Sequence, residues 1–597
     1  RSTRSDLYDL LQDPPAILVP RRHRVEITER LNAQGQVVTP LDESCIDSII
    51  NALKDWDIEA VAVSLLFSFI NDTHERILGE RLRQALPDTP IFLSSEVLPE
   101  IREFERTSTT AVCAYVAPLL RSYLRDLEHQ IVSRKLPAPY IMGSSGGVFG
   151  IDEALEVPAM VVESGPAAGV IAAAAIGKQL GRENVLSFDM GGTTAKASLI
   201  QKGHIETTPE YEVGGAGNQN RWLVGTGHPI RVPVIDLAEV SAGGGSIAWV
   251  DPAGALRVGP KSAGAEPGPV CYAQGGEEPS VTDANLVLGR LDQKALLGGE
   301  LAIDVSAAKQ ALEEKIAAPL GLETDMAAAG ILDIVNNAMA EALRTVSVER
   351  GHDPREFSLI AFGGAGPLHA AALAVELEIS EVVIPPIAGA FSALGLVGTD
   401  IKRDYARTYF KPLSEVDAQE LESVYGELER AAQAMLERCG IDNDDRILER
   451  SADLRYLRQA YELNVVTSDK VISKQTLNTL ADGFHDKHQT TYGHANRDEG
   501  VQVVTLRVSA IGKLSALKLD EPAFDDEPSE KARRSVWFKD TGWVQCPVHA
   551  RTHLRTGASI DGPAIVDSHD STIVLPPTWQ LVREPGGFII MRPSAKA

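Results

Sequence analysis

Two glycine-rich segments of the chain contain residue types that could bind phosphate. In the first, a predicted strand ends at Asp189 and the chain turns through Gly191, Gly192, Thr193 and Thr194. Adjacent glycines let backbone N–H groups converge on an anion because no Cβ blocks the approach, and threonine hydroxyls can donate to phosphate oxygens. A carboxylate at the strand end could hold Mg²⁺ or orient a nucleophile. An ordinary hairpin turn would show the same glycine pair, so the segment taken alone fits both interpretations.

In the second segment, a predicted strand meets a helix through Gly363, Gly364 and Gly366, with Pro367 directly after them. A ligand at such a junction can contact both the glycine backbone and the N-terminus of the helix. The spacing differs from the Rossmann fingerprint, and no Gly-Lys-Ser/Thr follows as in a Walker A loop. Close packing of the strand on the helix is the competing interpretation for this segment taken alone.

The two segments together indicate a nucleotide site. They lie 172 residues apart, and the first is strand–hairpin–strand whereas the second is strand–helix. This order is typical of actin/hexokinase/Hsp70-type (ribonuclease H-like) ATPases, in which phosphate hairpins precede a glycine-rich adenosine loop. We therefore expect the bends after Asp189 and Phe362 to face each other across a crevice that holds a nucleoside polyphosphate.

Hydrophobic patterning predicts the strands and helices that must position these bends. Residues 21–136 alternate between strands and helices, which favours parallel sheets covered by helices. The pattern predicts a buried strand at 61–69, helices at 74–86, 107–127 and 415–439, strands at 453–466 and 501–511, and a loop or linker at 520–534. We divide the chain into an N-terminal α/β domain (1–137), a central ATPase-like domain (138–400) and a C-terminal α+β domain (401–597).

Composition narrows the functional class. The 597 residues have a net charge of −26, and a general nucleic-acid binder would show the opposite balance. Five scattered cysteines, none at zinc-ligand spacing from another, indicate a reducing, cytoplasmic setting. No apolar run reaches the ~18–20 residues of a membrane span, and no signal peptide opens the chain.

The chain resembles the hydantoinase A/5-oxoprolinase family, which includes N-methylhydantoinase, caprolactamase, and acetone and acetophenone carboxylase subunits. Beyond the two glycine-rich segments, the resemblance depends on motifs at 94–100, 105–110, 164–169, 242–248, 264–272, 282–285 and 348–351. It implies ATP and Mg²⁺, catalytic roles for Asp189, Thr193 and Lys196, and Asp189 as the metal ligand. The nucleotide-binding positions implied are Gly191, Gly192, Thr193, Thr194, Gly363, Gly364 and Gly366.

The chain departs from the family pattern in two places. Members carry an additional Asp-x-Gly-Gly-Thr hairpin before the region where this sequence starts, and we expect upstream residues because the first residue is Arg1 rather than methionine. Many relatives also have aspartate at the position of Lys196, so metal-ligand roles do not transfer directly.

The resemblance implies a subunit that uses ATP to phosphorylate a carbonyl, most simply for hydrolysis of a cyclic amide, together with a hydantoinase B-like partner. A ketone carboxylase subunit is the first alternative, since it would share the ATPase core. A non-catalytic scaffold paralogue is the second, because one phosphate hairpin is absent from the sequence.

Other polar residues carry weaker hypotheses. Asp236 and Glu239 could bind metal or a substrate amide, although exposed strand ends are the simpler interpretation. We interpret Asp283 and Asn285 as helix-capping residues and His369 as a packing residue. The histidines at 485, 488 and 494 match no metal-ligand spacing.

Overall fold

The computed structural model of the chain describes residues 16–208, 210–214, 227–296, 301–459, 461–467, 471–514 and 527–594. Among these residues, no helix combines the length and the apolar character needed to cross a membrane. Of the loop or linker predicted at 520–534, residues 520–526 lie outside the described residues. The prediction is wrong for 530–534, which form the start of a strand, Glu530–Phe538.

The N-terminal part alternates short strands with helices, as predicted. Its elements are β1 (Arg30–Leu31), β2 (Val37–Thr39), α1 (Ile46–Asp55), β3 (Val61–Val63), α2 (Thr73–Ala85), β4 (Ile91–Leu93), α3 (Ser94–Val97) and α4 (Glu103–Ser133). Strands β3 and β4 pair in parallel. The strand predicted at 61–69 is wrong in extent, because Phe67 takes a left-handed φ of 59° and the chain leaves the sheet after Val63.

The central part contains both glycine-rich segments. Its helices are α5 (Ile151–Glu156), α6 (Ser164–Gln179), α7 (Val281–Val287), α8 (Val305–Leu312), α9 (Ala318–Leu320), α10 (Thr324–Val346), α11 (Gly366–Glu376) and α12 (Phe391–Val397). Its strands are β5 (Ile141–Met142), β6 (Val148–Phe149), β7 (Val185–Met190), β8 (Ala195–Gln201), β9 (His204–Ile205), β10 (Thr207–Thr208), β11 (Tyr211–Val213), β12 (His228–Ile230), β13 (Val234–Ile235), β14 (Ala238–Val240), β15 (Ser246–Val250), β16 (Leu256–Ser262), β17 (Ala295–Leu296), β18 (Leu301–Ala302), β19 (Ser358–Phe362) and β20 (Val382–Ile384).

The C-terminal part combines two long helices with sheets. Its elements are β21 (Ile401–Pro412), α13 (Ala418–Arg438), β22 (Arg446–Tyr456), β23 (Leu463–Thr467), α14 (Lys474–Tyr492), β24 (Val501–Gly512), β25 (Glu530–Phe538), β26 (Gly542–Ala550), β27 (Ser559–Asp561), β28 (Ala564–Asp567), β29 (Thr572–Leu575), β30 (Trp579–Arg583) and β31 (Ile589–Pro593). One sheet has the order β23-β22-β24-β21-β6-β5, and another has the order β25-β26-β28-β29.

The largest sheet positions the predicted site. Its nine strands run β14-β8-β7-β19-β20-β31-β30-β27, with β9 also paired to β8. Strands β14, β8 and β7 are antiparallel neighbours, whereas β7, β19 and β20 run parallel. Both faces of β7 and β19 are buried, which matches their nearly continuous apolar sequences. The sheet takes strands from both sides of residue 400, and the proposed division into domains stays a prediction.

Helices α6 and α12 cross at very short range beside this sheet. A Cβ atom at Gly395 of α12 would lie 1.9 Å from the carbonyl oxygen of Ala168 in α6. Only glycine permits that approach, since real Cβ atoms do not come so near to backbone. The crossing fixes the first turn of α12, which carries Ser392, against the carboxyl end of β7.

A buried ion network joins the N-terminal part to the C-terminal sheet. Glu100 is 1% exposed; it accepts a hydrogen bond of 2.6 Å from Nε of Arg231 and pairs at 2.9 Å with Arg507 on β24. Arg507 also pairs at 2.7 Å with Asp453 on β22. One carboxylate therefore connects three segments that are distant in sequence.

Candidate functional site

The two glycine-rich bends lie side by side at one edge of the large sheet. Phe362 of β19 is in register with Asp189 of β7, so parallel pairing brings both strand ends to the same edge. The N–H of Ala365 donates to the carbonyl oxygen of Met190 at 3.0 Å. The prediction that the bends face each other across a crevice is therefore wrong, because the two bends are in direct contact. A ligand would lie over both bends, outside the carboxyl ends of the strands, as is general for open α/β sheets.

The hairpin at 191–194 presents its backbone outward. The N–H of Gly191 closes the turn by donating to the carbonyl oxygen of Thr194 at 3.1 Å. Gly192 and Thr193 are exposed, and a Cβ at Gly192 would meet no atom within 4 Å. Within the described residues, the N–H groups of Gly192 and Thr193 have no hydrogen-bond acceptor. These donors are available to an anion, as the sequence predicted for a phosphate-binding turn.

Asp189 is largely buried at the end of β7. Burial raises the pKa of its carboxyl above the ordinary value, while the charge of Lys196 and a hydrogen bond with Ser392 act in the opposite direction. Ser392 comes from the α6–α12 crossing and was not anticipated from the sequence. Carboxylates with a shifted pKa beside open amide donors occur more often at functional sites than elsewhere.

Lys196 lies within a group of carboxylates. It stands opposite Asp189 on β7 and opposite Glu239 on β14, and its Nζ is 3.7 Å from Glu239 and 3.8 Å from Glu163. Glu163 reaches this position from the N-cap of α6, with a left-handed φ of 61°. The side-chain direction of Lys196, which the sequence left open, is therefore toward the site, and Glu239 pairs with it.

Protonation of Asp189 at low pH should weaken MgATP binding. We expect Lys196→Met to move this loss of affinity, the acidic limb of the pH profile, to higher pH. The substitution removes the positive charge that lowers the pKa of Asp189, so the carboxyl would ionise only at higher pH. The measurement is the dissociation constant of MgATP across a pH series. Lys178→Met, an exposed lysine at the other end of α6, is the matched control. An acidic limb that stays in place or moves to lower pH would contradict this account.

A second glycine turn, at 243–245, packs against the hairpin and donates hydrogen bonds to its backbone. The N–H of Gly244 donates to Gly191 O at 3.0 Å, and the N–H of Gly245 donates to Gly192 O at 2.6 Å. A Cβ at Gly243 would lie 2.6 Å from Gly192 O and from the backbone of Thr193. These three successive glycines, which belong to one of the motifs of the family resemblance, are also a signal of close backbone approach.

Gly243→Ala is expected to displace the hairpin and weaken MgATP binding about tenfold or more, because its clash is with backbone and costs about 1–3 kcal/mol. The readout is MgATP affinity by calorimetry together with thermal unfolding. Gly426→Ala is the control, since its Cβ would meet only Arg430 at 3.8 Å within helix α13. The control should keep its affinity; equal affinity in the two variants would show that the turn does not shape the site.

The loop after β19 is held on two sides. The N–H of Gly363 donates to the carbonyl oxygen of Ala388 at 2.8 Å. Gly363 has φ 82°, and a Cβ there would lie 2.5 Å from Oδ1 of Asp189. Gly364 is exposed, and Gly366 begins α11. Among the described residues, the N–H groups of Gly364 and Gly366 meet no acceptor. Gly366 is buried, so the exposed Gly364 is the position at which this loop adds a donor next to the hairpin.

The remaining candidates have structural partners. Asp236 pairs with Arg350. Ser280 is the N-cap of α7, and Asp283 completes its capping box as the third helical residue. His369 is fully buried and contacts Asn285 and Asn336. Burial and the charge of Arg290 lower the pKa of this imidazole to about 3, which agrees with the interpretation of His369 as a packing residue.

The histidine cluster on α14 and directly after it has internal hydrogen-bond partners. His485 Nδ1 lies 2.8 Å from the hydroxyl of Tyr456, and His488 contacts Gln459 at 3.0 Å. Nδ1 of His494 is 3.2 Å from the carbonyl oxygen of Tyr492. Rings of this cluster contact one another in edge-to-face or tilted pairs with centroids within about 5 Å, so the cluster is an aromatic packing element.

The residues at this site could bind Mg²⁺ together with the phosphates of a nucleotide. No group of three or more His, Cys, Asp or Glu side chains that could hold a metal occurs in the described residues. Asp189 is the carboxylate next to the open amides, and Mg²⁺ is commonly bound by one or two carboxylates plus substrate phosphates. The residues therefore fit a nucleotide-borne Mg²⁺.

A cavity of about 1670 Å³ lies between α4 and the strands and helices that precede it in the N-terminal part. Val61, Val63 and Tyr115 contribute to its wall, and none of the predicted site residues does. The candidate site is instead an open edge of the sheet, which suits a polar nucleotide better than an apolar ligand.

Comparisons with known proteins match nearly the whole chain to the same family. Models of the hydantoinase/oxoprolinase family match residues 106–405, its N-terminal region 1–86 and its C-terminal domain 413–584. An uncharacterized protein of Methanocaldococcus jannaschii is 44% identical, covering 97% of this chain and 84% of its own. The caprolactamase subunit alpha of Pseudomonas jessenii is 34% identical, with 98% and 84% covered.

Two solved structures share the fold. The ATP-dependent caprolactamase of Pseudomonas jessenii superposes with a TM-score of 0.84 at 33% identity, covering 98% of this chain and 84% of its own. Nucleotide-free acetone carboxylase superposes with a TM-score of 0.77 at 26% identity, covering 97% and 82%. Sequence and fold together show that the chain belongs to the hydantoinase/oxoprolinase family.

Proposed function

We propose that this protein is an ATP-dependent subunit that phosphorylates the carbonyl oxygen of a cyclic amide and so drives ring hydrolysis, together with a hydantoinase B-like partner subunit. The observation that carries the proposal is the pair of adjoining bends after β7 and β19, with unused amide donors and a largely buried carboxylate between them. The caprolactamase relative, named as an ATP-dependent enzyme and as a subunit, supports both the nucleotide and the partner.

Strand order supports assignment of the large sheet to the actin/hexokinase/Hsp70-like ATPases. In chain order, β7, β8 and β14 form an antiparallel unit, after which β19 and β20 add in parallel on the other side of β7. The hairpin comes first and the strand–helix loop second, as a phosphate hairpin and an adenosine loop do in such ATPases. The chain would then bind phosphates at 191–194 and the nucleoside end near 363–366.

Amide resonance explains why a lactam requires ATP. Nitrogen donates into the carbonyl, so water attacks its carbon poorly. When the carbonyl oxygen attacks the γ-phosphorus, an O–P bond forms, the β,γ-bridging bond breaks and ADP leaves with that electron pair. Water then adds to the activated carbon, and the C–N bond breaks as the nitrogen takes that electron pair and a proton, which opens the ring to an acyl phosphate. A second water hydrolyses the acyl phosphate, so that carboxylate and phosphate are released. The protein contributes positioning and charge stabilisation.

The predicted residues take distinct roles in this proposal. Amides of Gly192 and Thr193 would hold the γ-phosphate, and Lys196 would offset its charge. Asp189 would accept a proton or hold the nucleotide's Mg²⁺, which when bound neutralises charge on the phosphate oxygens. The low exposure of Asp189 and Lys196 limits competition from water.

A ketone carboxylase subunit is the second candidate, and the structural match to acetone carboxylase favours it. The ATPase core cannot separate the two reactions, because the same phosphorylation could act on a ketone enol or on bicarbonate. The distinction is therefore in the co-substrate rather than in the residues described above.

The test is ADP release by the complex of this chain with its partner subunit. Caprolactam, hydantoin and 5-oxoproline are compared with acetone and acetophenone, each with and without bicarbonate. Stimulation by a cyclic amide without bicarbonate supports the hydrolase. Stimulation by a ketone only with bicarbonate selects the carboxylase, and a wild-type chain that fails to bind MgATP overturns both.

A further inference from the structure

We infer that Asp570, on the turn between β28 and β29, is a specificity residue that accepts hydrogen bonds from the nucleoside half of the bound nucleotide. The inference depends on the proposed ATP site and deepens it. Asp570 is remote in sequence from both glycine-rich segments, and no motif marks it.

Asp570 is placed at the nucleotide edge by two glycines. Its Oδ2 accepts a hydrogen bond of 2.7 Å from the N–H of Gly389, in the loop after β20. A Cβ at Gly389 would lie 2.8 Å from Cβ and 2.9 Å from Oδ2 of Asp570, and a Cβ at Gly364 would lie 3.9 Å from its carbonyl oxygen. The turn therefore packs directly on the loops after β19 and β20.

The position along the edge matches the length of a nucleotide. The phosphate hairpin follows β7, and the Asp570 contacts follow β19 and β20, the next two strands in order. At a strand spacing of about 4.8 Å, the far loop is about 10 Å from the hairpin. A nucleotide with its γ-phosphate on the hairpin would thus bring its ribose and base toward Asp570.

The chemistry of a carboxylate fits the nucleoside and excludes the phosphates. The second oxygen of Asp570 has Ser571 Oγ at 3.2 Å as its described neighbour, and an ionised carboxylate offers about four acceptor sites. Ribose hydroxyls and the adenine amino group are donors, whereas phosphate oxygens are acceptors and would be repelled. Asp570 would therefore fix the direction of the nucleotide as well as its identity.

The experiment measures dissociation constants of MgATP, Mg-2′-deoxyATP and MgITP for the full-length chain by calorimetry. The variants are Asp570→Asn, whose amide oxygen can still accept from Gly389, and Asp570→Ala. Asp561→Asn, a carboxylate of β27 that accepts from Gln580 at 3.0 Å, is the control. A hydrogen bond to a charged acceptor predicts that the wild type prefers ATP over the analogue lacking the relevant donor by about ten- to a hundredfold.

Loss of that preference in both Asp570 variants, with the preference intact in Asp561→Asn, supports the inference, and the discriminated analogue identifies the donor. If the role of Asp570 is purely structural, the variants should bind all three nucleotides more weakly by the same factor, and the ratios of their dissociation constants should stay unchanged. That result would overturn the inference but leave the ATP site in place. A wild type that binds none of the nucleotides overturns the proposed function as well.

Discussion

Asp189→Asn is expected to lower ATP turnover by about 10²–10⁴-fold, the range for removing a general base or an essential charge. The variant keeps the shape of the side chain, so the hairpin and the loop that contacts it should stay in place. What it loses is the negative charge at the end of β7, next to the open amides of the turn. We would measure ADP release by the complete complex with a cyclic amide.

The same variant should not lose stability. Burial raises the pKa of Asp189 in the fold, and a carboxyl whose folded pKa is raised favours folding only while protonated. As the pH rises from the unfolded pKa through the folded pKa, that contribution is lost, so at neutral pH the ionised group is unfavourable. Asparagine removes this cost, and the thermal midpoint should stay equal or rise.

Asp353→Asn provides the matched control, because Asp353 is partly exposed and pairs with the exposed Arg355 at 2.7 Å. It should retain turnover within about threefold, as expected for a surface pair. Turnover of Asp189→Asn close to the wild-type value would remove Asp189 from the chemistry. A large fall in its thermal midpoint would instead assign the carboxylate a structural role.

The sequence was sufficient to predict local elements wherever glycines interrupt strong apolar patterns. The hairpin after β7, the strand–helix junction after β19 and helix α2 occur where their patterns placed them. The run at 61–69 failed because Leu65 gives its N–H to buried Glu75 instead of a neighbouring strand. The run is also only partly buried, since Leu66 is exposed, so apolar continuity alone predicted neither the strand pairing nor the burial of this segment.

Contacts between distant segments could not be predicted in this way. Gly389 and Asp570 are 181 residues apart, and neither belongs to a pattern that requires the other. The same holds for β31, which adds next to β20, and for Glu163, which reaches Lys196 from the start of α6. Each depends on how whole elements pack, and a single sequence contains no local signal of that packing.

Glu100→Gln is expected to destabilise the chain by about 3 kcal/mol, because removing one partner of a buried ion pair leaves uncompensated charge. Glu100 connects to Arg231 at 2.6 Å and to Arg507 at 2.9 Å. Glutamine can still accept one hydrogen bond, but it cannot balance two guanidinium groups. Asp453 remains beside Arg507, at 2.7 Å, which keeps the expected cost at the lower end of the known range.

Urea unfolding, followed by tryptophan fluorescence, measures this cost, and Glu420→Gln is the control. Glu420 pairs with Lys411 at 2.6 Å, with both side chains more than a third exposed, so its loss should cost less than about 1 kcal/mol. The N-terminal part contacts the C-terminal sheet through this network, and the first unfolding transition should therefore move in Glu100→Gln. Equal midpoints in the two variants would show that water or neighbouring acids compensate the buried arginines, and the network would then not hold the two parts together.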